Sequence, residues 1–379
     1  MNPTEIQSIL ATEVVVPARP GSLNSEDVLD KDQNFAKKFL TGGSWTEFAI
    51  QPKWIIQIKL RNGLTGIGET YRSSSPEKIR EAIKTLTGRN ILTLNWRRLP
   101  ITDQRIYEAF ETAILDLAGQ IANVPISQLL GGAYRNRVDC NGWTGRRNPE
   151  DAAQKAYEAM QKGHKIFKFK CSDEDPVRLW TAAIRKKCGT SIKIILDPNQ
   201  RWNDVKTTIR LMEGVDAEVM YGLEDPILHE DVKGFAYLRK VLKVPLFRHI
   251  SLPYTQDIRD IIRFIKEEAV DGYNFNGSAF NSVLLAEIAH LEGKSCWRGS
   301  EVDLGISEAM GVHIAAASIN CTIPSDIFGE LVRVDDLIEQ PLQFEQGSVL
   351  VPDAPGLGVK LDQQALKQFA TGNTISPEY

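Results

Sequence analysis

The sequence predicts an α/β protein built around a closed barrel of parallel strands, and two patterns carry that prediction. Beyond Gly132, short apolar runs alternate with stretches of helical spacing, which is typical of repeated β-α units and parallel strands. Roughly seven or eight such units favour a barrel of about 250 residues over an open sheet. Charged and polar side chains also stand where several of these strands end, which is where barrels carry their functional sites.

The first third of the chain has a different organisation. Two strand-like runs, 54–60 and 64–69, are joined by Asn62-Gly63, and Asn-Gly between apolar runs is a strong hairpin signal. Helical spacing follows over Pro76–Leu86 and 106–121. A hairpin and two helices therefore precede the barrel repeats.

The barrel repeats can be placed one by one. The predicted strands lie at 138–143, 166–170, 192–197, 219–224, 245–250, 272–276 and 294–298. The predicted helices lie at 149–162, 176–187, 205–213, 232–242, 255–268 and 282–292. This strict alternation predicts that the carboxyl ends of the strands gather at one end of the barrel.

Composition excludes several classes of partner. The 379 residues are 42% hydrophobic and carry a net charge of 45 − 49 = −4, which argues against nucleic acids and membrane surfaces as partners. The five cysteines are scattered without a Cys-x-x-Cys pair, which favours a reducing compartment over a disulfide framework. We see no signal peptide or membrane span in the sequence and expect a cytoplasmic location.

Candidate reactive groups follow the second, third and fourth predicted strands. Lys168 and Lys170 are two residues apart, so a strand places them on one face. Asp197 and Glu224 stand at the next two strand ends, one β-α unit or 224 − 197 = 27 residues apart. Such a set can remove a proton from the carbon next to a substrate carboxylate, while a divalent metal stabilises the charge of that carboxylate. The alternatives are two solvated lysines, a turn aspartate and a glutamate paired at the surface.

An ordered set of motifs runs almost from end to end of the chain. In order, these are Gly63-Leu64-Thr65-Gly66-Ile67-Gly68-Glu69, Leu129-Leu130-Gly131-Gly132, Lys168-Phe169-Lys170, Asp197-Pro198-Asn199, Glu224-Asp225-Pro226 and Pro352-Asp353-Ala354-Pro355-Gly356. The set resembles the enolase superfamily, of the mandelate racemase and muconate-lactonizing enzyme type. The resemblance implies an α+β capping domain over 1–132 with a mobile loop at about 17–46. It further implies a modified (β/α)7β TIM-like barrel over 133–335 and a C-terminal segment, 336–379, that returns to the cap.

The resemblance also assigns roles to the strand-end residues. Lys170 would be the general base, and Lys168 would act on it through its like charge. Asp197 and Glu224 would bind Mg²⁺, or another divalent metal such as Mn²⁺. Asn199 would orient the site or cap a turn.

The third metal position departs from the family pattern. Relatives carry an acid shortly after the Val-Pro that opens this strand, whereas this chain has His249, 249 − 224 = 25 residues after Glu224. Three interpretations of His249 stay open: a metal ligand, a general acid facing the substrate, or a core histidine.

The sixth barrel strand departs as well, because it offers Asn274 and Asn276 where some relatives place a lysine. The seventh strand has no histidine. A two-base racemase needs a second proton carrier, so this absence favours elimination over racemisation. Asn276 would hydrogen-bond a polyol substrate or serve as a turn residue.

Three further residues complete the sequence-based predictions. Asp303 would contact substrate or pair with Lys168 or Lys170, and Arg19, in the loop over the barrel, would meet a distal group of the substrate or stay solvated. His229 is predicted to lack a functional partner.

The first functional hypothesis is a lyase, a metal-dependent dehydratase that converts a sugar acid to a 2-keto-3-deoxy acid. The second is an epimerase, racemase or cycloisomerase acting on a carboxylate substrate. The third is a binding relative that kept the fold and lost turnover. The resemblance also suggests a homo-oligomer.

Overall fold

The computed structural model describes residues 2–25, 51–255 and 257–376. Within these ranges the strands are β1 (Ile6–Val14), β2 (Lys53–Leu60), β3 (Thr65–Glu69), β4 (Arg137–Asp139), β5 (Gly142–Thr144), β6 (Ile166–Lys170), β7 (Lys193–Asp197), β8 (Met220–Glu224), β9 (Leu246–Ser251), β10 (Gly272–Asn276), β11 (Ser295–Arg298), β12 (Phe344–Glu345), β13 (Ser348–Leu350) and β14 (Ala370–Ile375). The α-helices are Pro76–Leu86, Gln104–Ala122, Ile126–Leu129, Pro149–Gln161, Val177–Cys188, Val205–Met212, Val232–Val241, Leu252–Thr255, Asp260–Lys266, Ala279–Leu291, Gly305–Ala317, Gly329–Val332 and Gln363–Phe369.

Seven parallel strands form one curled sheet in the order β11-β10-β9-β8-β7-β6-β5. The segment 320–326 links the two ends of that sheet. Ile323 N–H donates to Cys296 O (3.3 Å) in β11, and Ser325 O accepts the N–H of Asn141 (3.0 Å), immediately before β5. The predicted α/β fold is therefore confirmed, with a sheet consistent with a TIM-like barrel.

Two sequence-based boundaries were wrong. The predicted strand 138–143 is two short strands, because β4 pairs with β13 in a separate three-stranded sheet while β5 pairs with β6 in the barrel. The predicted helix 255–268 is divided into Leu252–Thr255 and Asp260–Lys266. In the strand, pairing of β4 with β13 interrupts a local pattern that looked continuous.

The interior of the barrel has an apolar layer that sets the level of the site. The layer consists of Ile166, Ile195, Phe247, Trp297 and Ile323, with Tyr221 packed against it. Successive side chains of a strand alternate between two faces, so residues two positions further along the same strands also point into the barrel. Lys168, Asp197 and His249 stand at such positions in the candidate site described below.

An antiparallel sheet, in the order β14-β1-β2-β3, lies outside the barrel sheet. The chain leaves this sheet after β3 and returns to it at the other end, where β14 pairs with β1. Helix Gln104–Ala122 packs against β3; it begins at the side-chain cap of Asp103 and ends at Asn123, which has a left-handed backbone (φ 56°).

Part of the predicted mobile loop, 26–46, lies outside the described residues. Among the residues that are described, no helix combines the length and apolarity needed to cross a bilayer.

Candidate active site

The strand period carries the reactive side chains to one level of the barrel. Lys168 follows Ile166 by two residues, Asp197 follows Ile195, and His249 follows Phe247, so each stands one step above the apolar layer. Lys170 stands one step higher, and the exposed fraction of the side chain rises from 2% at Lys168 to 15% at Lys170.

The Lys168 ammonium lies close to three buried carboxylates. Its Nζ lies 3.1 Å from Asp197 Oδ2, 2.7 Å from Glu224 Oε2 and 3.0 Å from Asp326 Oδ2. We call these four residues the mouth cluster. Asp326 belongs to the segment that bridges the two edges of the barrel sheet, so the cluster exists only because the sheet curls.

Burial and charge act in opposite directions within the mouth cluster. Burial lowers the pKa of Lys168, but the nearby charges of Asp326, Glu224 and Asp197 outweigh it and raise this pKa well above its usual range. Burial alone would raise the pKa of Asp197, which Lys170 and Lys168 bring below its usual value. Burial, reinforced by the Asp197 charge, raises the pKa of Glu224 to about 8.

Lys170 reaches the rim of the barrel within a tight polar turn. Its Nζ lies 2.5 Å from Asp197 Oδ2 and 2.6 Å from Asn199 Oδ1. Asn199 has a left-handed backbone (φ 46°) and its N–H donates to Asp197 Oδ1 (3.0 Å). The turn therefore fixes the two acceptors of Lys170, which agrees with an orienting role for Asn199.

His249 stands where an acid was expected, with its two ring nitrogens facing different groups. Nε2 lies 2.9 Å from Asn276 Oδ1, and Nδ1 lies 3.5 Å from Glu224 Oε1. Burial lowers the pKa of His249 to about 4, so the ring is neutral at physiological pH. A neutral ring whose Nε2–H donates to Asn276 agrees with this geometry.

Asparagine amides line the far side of the site. Asn274 Nδ2 donates to Glu224 Oε1 (2.8 Å), and Asn141 Nδ2 donates to Asp326 Oδ1 (2.6 Å). Three other amide atoms are buried without a hydrogen-bond partner in the described structure: Asn141 Oδ1, Asn274 Oδ1 and Asn276 Nδ2. Buried polar atoms are rarely left unpaired in native proteins, so these mark a place for a polar ligand.

Gly299 makes room for two of these amides. It follows the apolar-layer residue Trp297 by two positions, so a side chain here would point into the site. A Cβ at Gly299 would lie 1.9 Å from Asn276 Oδ1 and 2.3 Å from Asn274 Oδ1, far inside contact distance. Glycine is thus required by the approach of the two asparagines.

Asp303 forms its ion pair in the described structure with a lysine other than Lys168 and Lys170, and its contact with substrate stays a prediction. Asp303 Oδ1 instead lies 3.0 Å from Lys53 Nζ, which also lies 2.5 Å from Glu69 Oε1. We call Lys53, Glu69 and Asp303 the junction cluster, since it ties the antiparallel sheet to the loop after β11. Arg19 is exposed and donates its backbone N–H to Val332 O (2.6 Å), and its contact with substrate stays a prediction.

The sequence-based reasoning missed the contacts of three residues, Asp326, His229 and Asp225. Asp326 was missed because the short run before it contains Pro324, which interrupts a strand pattern. His229, predicted to lack a partner, places Nε2 2.7 Å from Asp225 Oδ2, and Asp225 Oδ1 accepts the N–H of His249 (3.0 Å). Burial raises the pKa of Asp225, but His229 and Arg248 reduce it far below its usual range.

The donor atoms do not fit a Mg²⁺ site. Mg²⁺ demands near-ideal octahedral oxygen ligands at about 2.0–2.1 Å. Here Asp197 and Glu224 face an ammonium, and the third position offers an imidazole. Within the described ranges, no three His, Cys, Asp or Glu residues are arranged to hold a metal ion.

Comparison with known proteins places the chain in a family. The family described as Enolase C-terminal domain-like matches residues 151–365. N-succinyl-L-Arg/Lys racemase of Bacillus cereus is 25% identical over 355 residues, covering 88% of this chain and 94% of the relative. Muconate cycloisomerase 1 of Rhodococcus opacus is 26% identical over 352 residues, covering 86% and 92%.

A solved structure supports the fold. The crystal structure of the B. cereus racemase superimposes with a TM-score of 0.81 at 22% identity, covering 99% of this chain and 100% of that structure. The relatives include racemases, cycloisomerases and a hydrophobic dipeptide epimerase of Enterococcus faecalis, so they favour the isomerase hypothesis over the sugar-acid dehydratase. Enolase superfamily enzymes typically use a divalent metal. The motifs, the fold and the family match agree: the chain belongs to the enolase superfamily, of the mandelate racemase and muconate-lactonizing enzyme type.

Proposed function

We propose that the protein is a one-base cycloisomerase, in which an oxygen of a carboxylate substrate adds to the substrate's own conjugated double bond. The reverse reaction is an elimination: the α-proton is removed and the ring C–O bond breaks. The leaving carboxylate remains part of the same molecule. This proposal keeps the elimination chemistry that the sequence favoured and agrees with the isomerase names of the relatives. It replaces the dehydratase as the preferred reaction.

The proposal rests on one observation: two strand ends on opposite sides of the barrel carry different chemical groups. With the bridging segment counted as an eighth position, β10 lies four positions from β6 and therefore across the barrel. The end of β6 carries Lys170, and the end of β10 carries Asn276, an amide that cannot carry a proton in acid–base catalysis. A substrate between them would meet a proton carrier on one face and hydrogen-bonding groups on the other.

The chemistry needs only the Lys170 ammonium. A carboxylate oxygen of the substrate bonds to the β-carbon and closes the ring. The π electrons of the double bond move to the α-carbon, where Lys170 donates a proton. Solvent then returns a proton to the Lys170 amine, so the free acid and its lactone have the same composition. In the reverse direction the amine takes the proton from the α-carbon and releases it to solvent. Asp197 and Asn199 hold the ammonium at the rim, within reach of such a substrate.

The unpaired amides would orient the substrate. Asn276 Nδ2 is a donor for a carboxylate or hydroxyl oxygen, whereas Asn141 Oδ1 and Asn274 Oδ1 are acceptors for hydroxyl groups. A substrate with both kinds of group would satisfy all three. The substrate class is therefore a small carboxylic acid with additional oxygen functions.

Epimerisation is the second candidate, favoured by the contact between His249 and Asn276. A neutral His249 has a ring proton near the face opposite Lys170 and would serve as the second carrier. The N-succinyl-L-Arg/Lys racemase similarity supports this alternative.

Turnover in D2O distinguishes these reactions. The protein would be incubated with unsaturated diacids, their lactones and N-acylated amino acids, and products would be analysed by mass spectrometry and NMR. We expect a product of unchanged composition that carries one deuterium at the α-carbon. A product lighter by one water would restore the dehydratase, and inversion at the α-carbon without ring formation would establish the epimerase.

Other parts of the prediction remain proposals of the same kind. They are a modified (β/α)7β barrel over 133–335, a cap over 1–132, a returning segment over 336–379 and a homo-oligomeric state. Family membership alone would favour Mg²⁺ as cofactor. Because the donors do not fit it, no step above is assigned to a metal.

A further inference from the structure

The disagreement between the donor atoms and a metal site has a specific origin. We infer that the Lys168 ammonium takes the place of a divalent cation, so that the strand-end acids hold a lysine instead of Mg²⁺ or Mn²⁺. The inference concerns the cation site and holds for either reaction proposed above.

The position of the ammonium is the first argument. Lys168 Nζ lies within 3.1 Å of one oxygen from each of Asp197, Glu224 and Asp326. A Mg²⁺ ion at about 2.0–2.1 Å from the same oxygens would occupy the space of that nitrogen. The acids therefore cannot bind both cations in this arrangement.

The enclosure of Lys168 is the second argument. Its side chain is 2% exposed, and its ammonium lies 5.7 Å from the centroid of the Trp297 ring, at cation–π distance. Ile166, two residues earlier on β6, belongs to the apolar layer below. The ammonium has no solvent to withdraw into, so it cannot readily yield its place to an ion.

The formal charges are the third argument. With all three carboxylates ionised, the site with Lys168 and Lys170 carries −3 + 2 = −1, and the raised pKa of Glu224 brings this charge closer to zero at physiological pH. A divalent ion added to this site would make it positive, whereas loss of the Lys168 charge would leave it negative. A divalent ion would offset that negative charge, so Lys168 determines whether the acids hold a lysine or a divalent ion.

The replacement of the third acid agrees with this assignment. His249 faces Glu224 at 3.5 Å through Nδ1, while Nε2 contacts Asn276. An acid at position 249 would add a further negative charge to a site in which lysines supply the positive charge. A neutral imidazole adds none.

The test measures metal binding and not turnover. The full chain would be treated with EDTA and desalted, and metal content and Tm would be measured after equilibration with Mg²⁺, Mn²⁺ or Zn²⁺. We expect wild type to retain substoichiometric metal and to show no rise in Tm with any ion. Stoichiometric binding that is lost in Asp197→Asn would overturn the inference, and binding that survives Asp197→Asn would lie elsewhere and leave the inference supported.

Further variants in and beside the mouth cluster keep the test decisive even if one variant fails to fold. Lys168→Met should acquire a Tm that rises with added Mg²⁺ or Mn²⁺, with Lys165→Met, an exposed lysine near the start of the same strand, as the matched control. His249→Asp alone should still bind no metal, because Lys168 remains, and Lys168→Met/His249→Asp should bind one ion. Metal binding by His249→Asp with Lys168 intact would overturn the inference.

Discussion

The mouth cluster and the junction cluster, both built around a buried lysine, differ in how completely their polar atoms are satisfied. In the junction cluster, Glu69 accepts the backbone N–H groups of Leu304 (2.9 Å) and Ser307 (3.0 Å) in addition to its contact with Lys53. Asp303 accepts a hydrogen bond from the hydroxyl of Ser300 (2.9 Å). Around the mouth cluster, three asparagine amide atoms have no partner among the described residues.

The contrast separates structural from functional burial of charge. A buried ion pair whose remaining lone pairs are occupied links two parts of a fold. A buried cluster beside unpaired amides is incomplete without a ligand. Burial of lysine alone would not have distinguished the two, since Lys53 and Lys168 are both 2% exposed.

The largest expected effect is on catalysis at the rim of the barrel. Lys170→Met should reduce turnover by about 10²- to 10⁴-fold, the usual contribution of a general acid–base group, with Tm nearly unchanged. Steady-state kinetics and thermal melting of the same preparation would check both parts. Turnover at the wild-type rate would remove Lys170 from the mechanism.

Lys53→Met should affect stability and not chemistry. Removing the lysine of the junction cluster leaves the buried Glu69 carboxylate and the partly buried Asp303 carboxylate without their ion pair, which costs about 3–5 kcal/mol of unfolding free energy. Urea unfolding would measure the loss. A variant as stable as wild type would show that the cluster does not hold the two parts of the fold together.

Glu111 extends the comparison to a buried acid that makes no ion pair among the described residues. Its Oε2 accepts the N–H of Ala279 (2.6 Å), its Oε1 is buried without a hydrogen-bond partner, and burial raises its pKa to about 8. The folded state therefore binds the proton more tightly than the unfolded state, whose glutamate pKa is about 4.3. Stability from this group is complete below about pH 4.3 and is lost as pH rises through 8.

Glu111→Gln should remove that pH dependence. Between pH 5 and pH 8 the unfolding free energy of wild type should fall relative to the variant, by at most about 1.4 kcal/mol per pH unit. Urea unfolding of both proteins at several pH values would measure the difference. Parallel curves would mean that Glu111 titrates normally.

The smallest effect is expected for an exposed ion pair. Lys165 lies 2.9 Å from Asp139, but its side chain is 74% exposed, so solvent screens the pair. Lys165→Met should change the unfolding free energy by no more than about 0.5 kcal/mol. A loss like that of Lys53→Met would mean that exposure does not distinguish these pairs.

Local patterns in the sequence predicted much of the fold and part of the site. Every predicted barrel strand from 166–170 onward corresponds to a strand in the structure. The period of two placed Lys168 and Lys170 on one inward face, and strand-end position identified Asp197, Glu224 and His249. These features depend on a few neighbouring residues, so they can be read directly.

The sequence by itself determined which side chains point into the barrel, because strand alternation is a property of consecutive residues. Only the tertiary structure decided which charges meet. Curling of the sheet brings Asp326 to Lys168, 158 residues apart in sequence, while packing of the antiparallel sheet directs Asp303 to Lys53, 250 residues apart. Pairings at such separations depend on how whole elements pack, and no local pattern encodes them.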